Sequence, residues 1–179
     1  PERLEGRRLL AVDTVTCQAF VDGEPRPRTS PLIVSDMGAL VTFTARFTNG
    51  GDRSCVLDRI QDTLPERMNF SHFLGPATFR KQGGTATALP YPAWNVADGR
   101  TTFTWTSPLP GSGLPSFEIE SGKYAELSFQ AYMPPHVGDY ENAMLGWIGP
   151  AAVDATPETG TDATPATAWV ACRVCVDLA

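Results

Sequence analysis

Between residues 41 and 48 apolar and polar side chains alternate without a break: Val41, Phe43, Ala45 and Phe47 against Thr42, Thr44, Arg46 and Thr48. A period of two places one set toward a core and the other toward water, which reads as a half-buried β-strand. Lys123 to Met133 repeats the pattern, with Ala125, Leu127, Phe129, Ala131 and Met133 on one face and Glu126, Ser128 and Gln130 on the other. Phe103 and Trp105 alternate with threonines in RTTFTWT at 100 to 106, just after the turn pair Asp98-Gly99. After the first of these strands, Asn49-Gly50-Gly51-Asp52 supplies residues that accept positive φ. A β-rich run through Cys55, Val56, Leu57 and Ile60 follows, and Pro65 closes it. Helical spacing is confined to Leu57 to Leu64, where β-branched residues and Pro65 argue against a helix.

The remaining segments fit the same plan. Residues 9 to 21 (LLAVDTVTCQAFV) read as a first strand, and GEPRPRTSP at 23 to 31 as a polar, proline-rich connection. Residues 71 to 99 are broken by Gly75-Pro76, Gly83-Gly84, Pro90 and Pro92 and are expected to be an irregular loop region. Tyr140 to Ile148 and Trp169 to Leu178 read as strands, the last with Val170, Cys172, Val174 and Val176 on one face. Residues 149 to 168 are rich in Thr, Pro and Ala and short of bulky apolar side chains, so a loop is expected there. With 16 Gly and 16 Pro among 179 residues, the chain is expected to form one all-β domain over residues 1–179. About seven to nine strands separated by turns indicate an antiparallel sandwich or barrel with long loops.

The formal net charge is −6, and no basic stripe interleaves with aromatics, so a nucleic-acid partner is not expected. No apolar run approaches the roughly 18 residues that span a bilayer, so no membrane insertion by this segment is expected. The opening PERLEGRRLL lacks both an initiator Met and a signal-peptide apolar core, as expected of a secreted chain whose signal was removed or lies outside it.

Candidate chemistry is sparse. Cys17, Cys55, Cys172 and Cys175 permit two disulfides in three connectivities. Cys172 and Cys175, three apart on a strand, leave opposite faces, which suits neither a redox pair nor zinc and favours disulfides in an oxidising compartment. His72 and His136 have no nucleophile turn nearby, and Glu118, Glu120 and Glu126 read as a solvated strand face. Catalytic residues, metal ligands and cofactors are therefore expected to be none. Among Trp94, Trp105, Trp147, Trp169 and Tyr91, most should be core, and Tyr91 and Trp94 in the proline-rich segment are the candidates for exposed stacking on a ligand. Asn69-Phe70-Ser71 is a sequon, and Thr156, Thr159, Thr161 and Thr164 are candidate acceptors of O-linked sugar.

Four segments, in order, resemble the Ig-like conserved repeat domain of prokaryotic cell-surface proteins: ALVTFTARFTNGG at 39 to 51, DTLPERMNF at 62 to 70, GDYENAMLGW at 138 to 147 and the closing ATAWVACRV. The resemblance runs over nearly the whole chain and implies an Ig-like antiparallel β-sandwich with an extracellular structural or adhesive role, often in tandem arrays. It carries no catalytic residues. It also implies that the first and last strands lie side by side, so that Cys17 would bond Cys172 or Cys175. Such domains can carry a Lys to Asn isopeptide bond, but the first strand has no lysine here, and Lys81 and Lys123 lie elsewhere, so none is expected. Thr156-Pro157-Glu158-Thr159-Gly160 resembles a cell-wall sorting signal without its leading Leu and its tail. Independently of family, Asp62-Thr63-Leu64-Pro65 reads as a strand terminator, and Tyr140 and Asn142 as side chains that satisfy a neighbouring loop. The leading expectation is a non-enzymatic module of a surface stalk, adhesin or filament, whose partners are copies of itself or neighbouring surface domains. The alternative is a carbohydrate- or ligand-binding module using Tyr91 and Trp94, with glycans as partners.

Overall fold

The computed structural model describes residues 15–26, 31–34, 36–149 and 167–177. Two sheets pack face to face. One carries β1 (Val15–Val21), β2 (Glu24–Pro25), β4 (Leu40–Asn49), β6 (Phe73–Lys81), β7 (Thr87–Ala88) and β11 (Tyr124–Tyr132), in the order β2-β1-β4-β11-β6-β7. The other carries β3 (Leu32–Val34), β5 (Cys55–Thr63), β8 (Ala93–Ala97), β9 (Arg100–Thr106), β12 (Gly138–Gly149) and β13 (Thr167–Val176), in the order β3-β13-β12-β5-β9-β8, with β10 (Glu118–Ile119) pairing β5. Nine of these strands have five residues or more, and every pairing is antiparallel except β3 with β13.

The alternation read in the sequence is what closes the sandwich. Val41, Phe43, Ala45 and Phe47 are all buried, as are Ala125, Leu127, Phe129 and Ala131 beside them on β11. Leu57, Ile60, Phe103, Trp105 and Met144 face them from the other sheet, with Val174 and Val176 on β13. Each large side chain removed from water contributes about 1.5–3 kcal/mol. Rings dominate: Phe43 stacks on Phe129 at 5.5 Å, and Phe73, Phe103 and Trp105 continue the row. Gly146 lets β12 approach β4, since a Cβ there would lie 2.7 Å from Phe47 Cε1.

Three expectations need correction. The Asn49-Gly50-Gly51-Asp52 segment does not turn one strand back on its neighbour: β4 and β5 belong to different sheets, and neither Gly50 nor Gly51 takes a positive φ. Buried Asn49 holds the crossing instead, donating Nδ2 to the carbonyls of Arg53 (2.7 Å) and Ile119 (3.0 Å) and accepting from Gly51 N at 2.9 Å. Residues 71–99 are not irregular, because β6, β7 and β8 lie within them. β6 survives Gly75-Pro76 through a bulge: Leu74 pairs Gln130 and Thr78 pairs Ser128, so the chain spends extra residues where proline has no donor to offer. Glu126 is not solvated but buried. Asp98-Gly99 is a turn as read, with φ of 52° and 74°, and with Ala97 paired to Arg100 it closes a β8–β9 hairpin whose first strand lies in the segment expected to be irregular loop. Residues 150–166, most of the expected Thr/Pro/Ala-rich loop, lie outside the described residues, as do residues 9–14 of the expected first strand.

The ends of the sandwich are distinct. Val15 pairs Asn49, beside Ile119 and the start of β5, whereas Val176 pairs Gly138 at the other end, near Thr63. The first described strand therefore enters at one end and the last leaves at the other, with β1 close to β13 along the side.

Candidate functional site

The side of the sandwich at β8 carries an aromatic platform. Register places Trp94 opposite Phe103, so its side chain projects from the inner face of the sheet, at the sheet's last strand. Trp94 is 54% exposed and Tyr91 63%. Phe70 joins them: its ring lies 5.8 Å from Trp94 in a near-parallel stack and 6.2 Å from Tyr91. Asn69 sets Phe70 in place by capping a short 3-10 turn, accepting from Ser71 N at 2.9 Å, while His72 Nδ1 accepts from Asn69 N. The platform rests on the core, with Phe70 edge-on to Phe103 and Phe73 edge-on to Tyr91. Sequence singled out Tyr91 and Trp94; Phe70 was missed, since the residue reads only as the middle of a sequon.

Beside the platform lies a cleft of about 360 Å³, lined by Leu89, Tyr91, Trp105, Leu109, Leu114 and Phe117, with the threonines Thr104 and Thr106 and Ser112 adding hydroxyls. Its volume falls at the lower end of small-ligand pockets and its walls are mostly apolar. Loop 107–117 forms one wall, with Gly111 and Gly113 both at positive φ.

Polar groups elsewhere are locked into the scaffold. Asp62 and Asn142 are both fully buried, and Asn142 Nδ2 donates to Asp62 Oδ2 at 2.7 Å. The segments at 62–70 and 138–147 are thus tied to each other. Burial pushes the Asp62 carboxyl up to about 8, against the opposing pull of the Asn142 hydrogen bond and the Arg100 charge. Tyr140 donates its hydroxyl to the carbonyl of His136 at 2.8 Å, satisfying a neighbouring loop as read. On the outer face of the first sheet, Glu126 accepts from Arg46 at 2.6 and 2.8 Å and from Arg80. Burial alone would raise its pKa, but the two guanidiniums outweigh that and hold it below the usual carboxylate range. Arg46 is itself flanked by the rings of Phe20 and Tyr124.

No protein-family model matches the chain, and no curated protein sequence matches it. Solved structures do match in shape. A putative membrane-anchored protein of Corynebacterium diphtheriae is similar at TM-score 0.52 and 13% identity, over 92% of this chain and 36% of that one. The major pilin subunit BcpA of Bacillus cereus is similar at 0.52 and 8%, over 91% and 40%. AvmM, described as catalysing macrocyclization in alchivemycin A biosynthesis, is similar at 0.52 and 10%, over 94% and 92%. The fold is an Ig-like sandwich. This chain spans well under half the length of the membrane-anchored protein and of the pilin subunit.

Within the Ig-like sandwich, other residues singled out from sequence are dispersed. Cys17 is a half-buried free thiol whose pKa burial pushes up to about 12. Cys55 is buried in the core, and Cys175 Sγ lies 2.9 Å from Asp139 Oδ1. Cys172 pairs Asn142 in register, with its side chain outside the described residues, and Thr156, Thr159, Thr161 and Thr164 lie outside them altogether. Asn69 is exposed. Lys81 approaches Glu118 at 3.9 Å. Among the described residues no three His, Cys, Asp or Glu side chains converge on a metal-sized space, and no helix is long and apolar enough to cross a membrane.

Proposed function

We propose that this chain is a non-enzymatic, extracellular structural module of a surface stalk, adhesin or filament, making its contacts with copies of itself or neighbouring surface domains through sheet edges. The observation that supports it most is the fold shared with a pilin subunit and a membrane-anchored protein, in a chain whose recognisable motifs are spent on internal ties such as Asp62 to Asn142. Likeness to AvmM concerns shape alone and supplies no reacting group. Disulfides belong to the same reading. Cys17 on β1 lies on the side that approaches β13, so a bond from Cys17 to Cys172 or Cys175 is expected in the exported protein, and a bond of this kind contributes ~2–4 kcal/mol. Peptide mapping without reductant checks it, and four unmodified thiols in the exported chain refute it. The surface setting is tested by protease shaving and antibody labelling of intact cells that make the full-length protein. Labelling only after lysis would overturn it.

The platform and cleft favour a second reading, a carbohydrate- or ligand-binding module in which the exposed faces of Tyr91 and Trp94 stack on a sugar. A glycan-array signal that is lost in Trp94→Ala supports this reading, and a blank array discards it. Glycans attached to Asn69 or to the threonines of residues 150–166 would be found by intact mass of the protein from its native host.

A further inference from the structure

We infer that two copies of this chain pair through β8, edge to edge across a two-fold axis at Asn95, joining their second sheets into one continuous sheet. The inference rests on the surface-module reading for its setting and adds the partner, the strand and the register. The four edges of the sandwich are unequal. Of the terminal strands, β2 and β7 have two residues each and β3 three, and each covers only part of β1, β6 or β13, whereas β8 has five, all exposed and none charged. Longer flat edges without charge or proline are templates for pairing. In a molecule of net charge −6, the strand itself sets no charged side chain against a second acidic copy.

Backbone direction selects the register. A two-residue turn at Asp98-Gly99 makes Ala97 and Arg100 a hydrogen-bonded pair, and the antiparallel alternation then turns the N–H and C=O of Ala97, Asn95 and Ala93 toward β9. The groups of Val96 and Trp94 point outward. A two-fold axis through Asn95 sets Trp94 opposite Val96 of the second copy and Val96 opposite its Trp94, so the outward groups exchange four hydrogen bonds. Ala93-Trp94-Asn95-Val96-Ala97 reads small, apolar, Asn, apolar, small in both directions, and this register exploits it: each Trp94 meets a β-branched Val96, 58% exposed in the single copy, on the same face, and small meets small at the ends. Asn95 meets Asn95 at the axis in a non-hydrogen-bonded position, where Cα atoms approach to about 4.5 Å and the two amides can bond each other. Tyr91 and Phe70 extend the apolar strip that the second copy borders.

Sedimentation of the full chain over rising concentration tests this, with variants compared at equal helix-free circular dichroism and equal melting temperature. Expected is a dimer in the wild type that is lost in Val96→Lys, which sets an ammonium against the partner's indole. Asn95→Cys under mild oxidation is expected to give a covalent dimer reversed by reductant, and Thr85→Cys, exposed on the other sheet side, is expected not to. A wild type that stays monomeric at every concentration overturns the edge pairing, as does a dimer that survives Val96→Lys without any Asn95→Cys cross-link. Glycan binding through Trp94 by a monomer also overturns it. Surface labelling of cells is independent of all three results, so the surface-module reading can stand where the pairing falls.

Discussion

Asp62 leaves Oδ1 without a hydrogen-bond partner, and so does the Asn142 oxygen of the same buried pair. A buried pair with two unpartnered acceptors is short of a donor, and a proton on Asp62 supplies one. The raised pKa of about 8 agrees with that requirement. An unfolded Asp releases its proton near pH 4, while folded Asp62 keeps it to about pH 8, so the folded state holds the extra proton across that window. Stability from this group is complete below about pH 4 and is lost as pH climbs toward 8, with a slope of up to about 1.4 kcal/mol per pH unit. In Asp62→Asn the amide donates where the protonated acid did, and the slope should flatten. Urea unfolding at pH 5 and pH 8 for both proteins measures this, and equal slopes would refute a buried acid. The outer clamp behaves with opposite sign. Glu126, held low, contributes above its unfolded pKa and loses that contribution on acidification, and Glu126→Gln should cost about 1 kcal/mol at neutral pH, because Arg46 and Arg80 stay partly wet. A denaturation difference near zero would mean that the Phe20 and Tyr124 rings hold Arg46 unaided.

Strands that meet across the sandwich set the tolerances of the elements. Gly146→Ala pushes a methyl against Phe47 and Leu57, and the overpacking should cost ~1–3 kcal/mol, read as a lower denaturation midpoint. Asn49→Ala strips the crossing from β4 to β5 of its buried ties and should cost a similar ~1–3 kcal/mol, with backbone exchange rising first around Gly51 and Arg53. What could be read beforehand follows from range. Alternation is a local property, so Val41 to Phe47 and Ala125 to Met133 announced their strands and their buried faces. Asp62 and Asn142 are eighty residues apart, and nothing local says that a strand terminator and a loop tie share one hydrogen bond. β6 was concealed because a bulge absorbs Gly75-Pro76 outside the pattern of two, and Glu126 because its two arginines arrive from different strands. Tyr91 and Trp94 were legible as exposed aromatics between prolines, whereas Phe70 reaches them only through the fold.

At the scale of the whole molecule, the sandwich is a two-sheet body with one side closed by β1 and β13 and the other open at β8, where platform, cleft and free strand edge coincide. Its direction matters as well. Val15 stands at one end and Val176 at the other, each at the outer limit of a long ladder, β1 on β4 and β13 on β12. Tension applied between those two points runs along the strands, so the hydrogen bonds of each ladder are loaded together in shear instead of being peeled one after another. Stretched singly by force spectroscopy from handles flanking Val15 and Val176, the domain should rupture in one high-force event, and handles moved to Val15 and Asn49, which open the β1–β4 ladder from one end, should part it at markedly lower force. The same arrangement that buries Phe43 and Phe47 makes the domain a link able to bear load along its length.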